Sequence, residues 1–60
     1  MEQDHIEKRN FYDLLKSKEK LAEESAELAL NEGNMNAHNY QDGKRFAFRL
    51  MAENFSVEFL

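Results

Sequence analysis

Three glutamates in the middle of the chain are the residues whose type and spacing come closest to a chemical site. Glu23, Glu24 and Glu27 fall within the segment EKLAEESAELAL. On a helix of 3.6 residues per turn they occupy neighbouring positions, so their carboxylates lie close together. Carboxylate oxygens bind Mg²⁺ in proteins, usually together with phosphate oxygens of a substrate. The spacing therefore raises the hypothesis of magnesium-dependent chemistry on phosphates.

This segment resembles the first metal-binding motif of the all-helical MazG-like nucleotide pyrophosphohydrolases, in which such glutamates coordinate magnesium. The resemblance implies a second motif, Glu-x-x-Asp, on the next helix. Here Ser56 stands three residues after Glu53, so the aspartate is missing and the implied site is incomplete. We expect no catalytic, cofactor-binding or metal-binding residues. A fragment of a MazG-like magnesium-dependent pyrophosphohydrolase is kept as an alternative.

Other patterns typical of enzymes are missing from the sequence. It has no cysteine, no glycine-rich phosphate loop and no nucleophile with a base at a readable spacing. Its two histidines, His5 and His38, are expected to lie at opposite ends of the fold, both exposed. We therefore expect a protein that is not an enzyme and has no small-molecule substrate.

The charge balance bears on possible binding partners. The net charge is −4, whereas nucleic-acid binding requires a basic surface, so direct binding to DNA or RNA is not expected. A row of glutamates could instead imitate phosphates and occupy a nucleic-acid-binding groove of another protein. The row consists of Glu19, Glu23, Glu24, Glu27 and Glu32. Lys16, Lys18 and Lys20 on the same helix would partly neutralise the negative potential of these glutamates. An acidic, nucleic-acid-mimicking inhibitor is the second alternative.

The size of the chain limits how it can be stabilised. A domain of 60 residues buries only ~60% of its unfolded surface and usually needs disulfides, a metal or oligomerisation. Without cysteine, association with a second copy or a partner is the expected supplement. The N-terminus has no apolar run and no segment could span a membrane, so a cytoplasmic protein is expected. Starting at Met without a tag, it reads as a complete small product, typical of bacterial or phage regulators.

The helical pattern predicts an all-α antiparallel two-helix hairpin. The predicted bounds are helix 1 over about 4–31, a loop over 32–36, and helix 2 over about 37–59. Asp4 and Glu7 have the spacing of a capping box, Gly33 is a helix-stop residue, and Asn34 or Asn36 can cap the second helix. Because Gly43 disfavours helix, a break at 42–43 stays open.

The apolar residues of helix 1 predict how the two helices pack. Large side chains recur at intervals of three or seven residues, and together with Leu15, Ala22 and Ala29 beside them they are expected to face helix 2. Ala22, Ala26 and Ala29 permit close approach of another helix near the C-terminal end of helix 1. The row of large side chains consists of Phe11, Leu14, Leu21 and Leu28. Folding about Gly33 pairs Leu21 with Phe48, Leu14 with Phe55 and Phe11 with Phe59, to within one helical turn. It also brings Arg45 near Glu24 and Glu27, and Arg49 near Lys20 and Glu23.

The C-terminal helix is apolar on two nearly opposite sides, which a single hairpin cannot cover. We expect one side to pack on helix 1 and the other to bind a second copy or a larger protein, completing a four-helix bundle. The predicted function is a small regulator or inhibitor that acts through protein–protein contact. The predicted binding residues are Phe46, Leu50, Val57 and Leu60, with an acidic rim of Glu23, Glu24 and Glu27.

Overall fold

Two antiparallel helices make up the fold. In the computed structural model, which describes the backbone of residues 2–60 and the side chains from residue 5 onward, α1 spans Glu2–Asn31 and α2 spans Met35–Phe59. The predicted all-α hairpin is confirmed. Its Cα atoms extend over 48 × 15 × 9 Å, so the molecule is two helices wide and one helix thick. Met1 and the Asp4 side chain of the predicted capping box lie outside the described part.

The turn between the helices is fixed by backbone hydrogen bonds and one asparagine side chain. Gly33 has φ +76°, the left-handed conformation that favours glycine. Its N–H donates to the Leu30 carbonyl, and the Asn34 N–H donates to the Ala29 carbonyl at 2.9 Å, which is the Schellman pattern. The Asn34 side chain then accepts from the Ala37 N–H at 3.1 Å and caps α2. The predicted stop at Gly33 and the cap at Asn34 are confirmed.

α2 begins directly after this cap and continues without interruption past Gly43. The first helical residue is Met35, because Asn34 already supplies the capping oxygen. Gly43 is exposed, and a Cβ built on it meets no atom within 4 Å. The helical cost of a single glycine, ~1 kcal/mol, is therefore not enough to break this helix.

The residues buried between the helices are mostly small. On α1 they recur at alternating intervals of four and three residues, the repeat of an antiparallel coiled-coil seam. They are Leu15, Glu19, Ala22, Ala26 and Ala29. On α2 the buried residue is Ala52, which is 1% exposed. We call these residues, together with the partly buried residues of α2 that face them, the seam.

The prediction that the row of large residues on α1 faces α2 is wrong. Phe11 is 48% exposed, Leu14 50%, Leu21 61% and Leu28 60%. Small side chains allow the two helices to approach more closely than leucines do, and Lys18 and Ser25 interrupt the row of large residues. α1 therefore turns its alanines toward α2, and the large residues lie along one flank of the seam.

The register of the hairpin agrees with the prediction to within one helical turn. Phe11 packs on Phe55 with ring centroids 5.0 Å apart, and Phe55 packs on Phe59 at the same distance. The Lys8 ammonium lies 5.7 Å from the centre of the Phe59 ring. Leu21 and Phe48 line the same groove, as predicted. Aromatic contacts thus close the seam at its open end, and the Gly33 turn closes it at the other.

The two glycines predict opposite effects of the same substitution. Gly33→Ala should lower the free energy of unfolding by about 1–2 kcal/mol, because alanine is strained in the left-handed conformation. Gly43→Ala should raise it by ~0.5–1 kcal/mol, because a helical alanine is favoured over glycine. Neither added methyl group meets an atom within 4 Å, so packing does not confuse the comparison. Urea unfolding followed by circular dichroism measures both; equal effects would contradict the turn geometry.

Close approach of the helices at the alanines predicts that a larger side chain there is harmful. Ala52→Leu should lower the free energy of unfolding by about 1–3 kcal/mol, because the seam has no space for the added atoms. Ala47→Leu is the matched control on the exposed surface of α2 and should change it by less than ~0.5 kcal/mol. A stabilising Ala52→Leu substitution would show that the helices are not closely packed.

Candidate interaction surfaces

The hairpin buries very little large apolar surface. Its buried apolar residues are one leucine and four alanines, and within residues 5–60 no large side chain is completely buried. Many phenylalanines, leucines and methionines of both helices are instead half exposed. Because the molecule is one layer thick, these side chains cannot be covered within the chain. The surfaces that they form are the candidate functional sites.

One broad face of the hairpin, on one side of the seam, is polar. Its centre is Glu19, whose side chain is only 11% exposed and accepts from the Lys16 ammonium at 2.7 Å. The Arg49 guanidinium of α2 lies 3.5 Å from the other oxygen of the same carboxylate. Arg45, also on this side, pairs with Asp42 of its own helix at 3.0 Å. We call this side the broad polar face.

These ion pairs differ from the predicted ones. Arg49 pairs with Glu19 and not with Glu23, and Arg45 pairs within α2 and not with Glu24 or Glu27. Relative to the predicted packing, α1 is rotated about its own axis so that its alanines lie in the seam. This rotation also brings Glu19 next to α2.

The hydrogen bond from Lys16 to Glu19 also affects the pKa of Lys16. The bond to Glu19 raises the pKa of Lys16, since it stabilises the charged ammonium. A raised pKa in the folded state means that the contribution of the Lys16 ammonium to stability is fully present at neutral pH and is lost as the pH rises through that pKa.

The opposite side of the seam is apolar across both helices. We call it the broad apolar face, and its large residues are Phe11, Leu14, Leu21 and Leu28 of α1 with Phe48, Met51 and Phe55 of α2. The Phe11–Phe55 contact joins the two halves at the open end. Toward the turn an open groove of about 200 Å³ separates them, lined by Leu21 and Phe48 and by two lysines, Lys18 and Lys44.

A third surface lies on the side of α2 that points away from α1. It carries the four apolar residues predicted to bind a partner, which we call the outer face of α2. Phe46 is 54% exposed, Leu50 42%, Val57 86% and Leu60 41%. Leu50 and Val57 are seven residues apart and share a stripe of the helix, with Phe46 one turn before Leu50.

The predicted acidic rim lies on the other helix. Glu23, Glu24 and Glu27 are all exposed. They project from the sides of α1 that face away from the seam or border the broad polar face, so the width of the hairpin separates them from the outer face of α2. A partner must reach across the broad polar face to touch both groups. The row of glutamates is also shortened, because Glu19 is held by Lys16 and Arg49.

The two histidines are at opposite ends of the hairpin and have different surroundings. His5 is exposed, as predicted. His38 was predicted to be exposed but is partly buried, and its Nδ1–H donates to the Ala26 carbonyl at 2.8 Å. The carbonyl belongs to α1, so His38 ties the start of α2 to the end of α1.

The described residues form neither a metal-binding cluster nor a membrane-spanning helix. From His5 to Leu60 no three histidine, aspartate or glutamate side chains are grouped closely enough to hold a metal ion. Over Glu2–Leu60 neither helix combines the length and the apolar character needed to cross a lipid bilayer.

Comparison with known proteins provides no relative. No protein-family model, no curated protein and no solved structure matches this chain. Its function must therefore be inferred from its own surfaces.

Proposed function

We propose that this protein is a small non-enzymatic interaction module, a regulator or inhibitor that acts in the cytoplasm by binding a larger protein. The observation that carries the proposal is the large apolar surface of a hairpin in which Leu15 is the only large apolar side chain buried among residues 5–60. A chain that binds nothing has no use for such a surface, and exposed apolar patches of this kind mark interaction sites.

The energetic scale supports a binding role. Burying a large apolar side chain is worth about 1.5–3 kcal/mol, and small domains are stable by only ~5 kcal/mol. Leaving the four residues of the outer face in water therefore forfeits free energy comparable with the whole stability of the fold. A partner that covers them gains this free energy upon binding.

The outer face of α2 has the form of a helical recognition surface. Anchors at Phe46, Leu50 and Val57 recur at helical spacing along one side, as in helices that insert into an apolar groove of another protein. A few such anchors supply most of the affinity of a typical interface. The charges of Glu23, Glu24 and Glu27, on the opposite edge, suit a partner whose surface beyond that groove is basic.

The proposal predicts that one substitution on the outer face abolishes partner binding. Leu50→Asp should lower recovery of the partner from an extract of the native host at least about tenfold, because a carboxylate would be buried in an apolar contact. Ile6→Asp, the same kind of change at a residue of α1 that is 56% exposed, is the matched control and should retain binding. Equal recovery with both variants, at unchanged helical content, would contradict the proposed site.

A further inference from the structure

The broad apolar face carries a pattern of charge along α2. Lys44, Met51 and Glu58 follow one another at intervals of seven residues and are all exposed. They therefore lie along one stripe of the helix, roughly 10 Å apart. Met51 stands midway between a positive and a negative charge. A stripe of this composition matches a second copy of itself that runs in the opposite direction.

We infer that the broad apolar face binds a second copy of this chain and forms an antiparallel four-helix bundle. In this dimer a twofold axis lies in the interface, crosses the helices at a right angle and passes Met51. Each Lys44 then lies opposite Glu58 of the other copy, and the two Met51 side chains meet on the axis. The pairing is made twice, as symmetry requires.

The residues of α1 on this face are also compatible with the twofold rotation. Contacts of Phe11 with Phe55 and of Glu19 with Arg49 show that Met51 is level with the part of α1 between Leu14 and Lys18. The axis therefore passes between Leu14 and Lys18 and brings Leu21 opposite Phe11 of the other copy. The methylene groups of Lys18 lie over Leu14 of the other copy, with the ammonium free to reach water.

The charges also disfavour the other face-to-face arrangement. If the axis ran along the helices, α1 of one copy would lie on α2 of the other with their open ends together. Lys8 lies next to Phe59 and the helices are antiparallel, so Glu58 is level with Arg9, about half a helical turn from Glu7. This arrangement would bring Glu58 near Glu7 of the other copy, with neither Lys18 nor Lys44 opposite it, and like charges in an interface are unfavourable. Only the arrangement whose axis crosses the helices at Met51 pairs Lys44 with Glu58.

The size of the face is sufficient for a stable dimer. Its Cα atoms span 48 by 15 Å, roughly 700 Å² before side chains widen it, and a standard interface buries ~800 Å² per partner. The outer face of α2 points sideways in this bundle and stays free. The dimer is therefore distinct from the proposed binding of a larger protein, and either one can fail without the other.

Charge reversal tests the pairing. Sedimentation equilibrium of the wild-type chain should give a mass twice 7.1 kDa. Lys44→Glu or Glu58→Lys alone should raise the dissociation constant of the dimer at least about tenfold, and the double variant should return to within about threefold of wild type. Glu53→Lys, the same charge change off this face, is the control. A wild-type monomer, a double variant that stays weak while helical, or a control as damaging as Glu58→Lys would overturn the inference.

A cysteine crosslink tests the position of the axis independently of charge. The chain has no cysteine, so each introduced thiol is the only one. Met51→Cys should form a disulfide-linked dimer on mild oxidation, because the two residues meet on the axis. Val57→Cys, on the outer face and 86% exposed, should remain mainly without a disulfide crosslink. The reverse result, equal crosslinking of both variants, or no crosslinking of Met51→Cys would overturn the inference.

Discussion

The close approach of two helices through alanine is the constraint on which the rest of this structure depends. Ala22, Ala26 and Ala29 of α1 and Ala52 of α2 are almost completely buried, and they leave no space for larger side chains between the helices. The large apolar residues consequently lie along the flanks of the seam. A hairpin that packs in this way presents apolar surface where a leucine-rich one would bury it, and this difference turns a structural element into a binding element.

Polar contacts add interactions between the helices that the small alanine side chains of the seam cannot make. Glu19 occupies a seam position that would ordinarily be apolar, and it is satisfied by Lys16 on its own helix and Arg49 on the other. The His38 side chain joins the helices near the turn, and the phenylalanines join them at the open end. These contacts fix the register and give the hairpin one polar and one apolar broad face. Surface ion pairs contribute only ~0–1 kcal/mol each, so they choose the arrangement without providing most of its stability.

Local features of the fold could be predicted from the sequence, whereas the rotation of the helices could not. The stop at Gly33 and the cap at Asn34 depend on a few adjacent residues, and both are present in the structure. Which stripe of α1 faces α2 depends on how closely the helices approach, and the hydrophobic pattern alone favours the largest residues. For that reason the sequence wrongly predicts Leu14, Leu21 and Leu28 in the core, whereas Leu15, Ala22 and Ala29 beside them are buried as predicted.

The same error explains which part of the candidate site the sequence could reveal. The outer face of α2 is recognisable in the sequence because, from Lys44 to Leu60, its residues lie nearly opposite the other apolar residues of the helix. The sequence does not predict the broad apolar face as a surface, because its hydrophobic pattern places these residues in the core. Two surfaces with different geometry allow two separate roles: a flat face that suits a second copy, and a narrow stripe that suits a groove.

The central claim is that this hairpin depends on association to cover its apolar surface. The most direct measurement is the midpoint of thermal unfolding, followed by circular dichroism at protein concentrations from about 1 to several hundred μM. Mass action requires the Tm of a protein that is stabilised by association to rise with concentration, and this is the predicted result. A Tm that is constant over this range, in a chain that stays monomeric, would contradict the account.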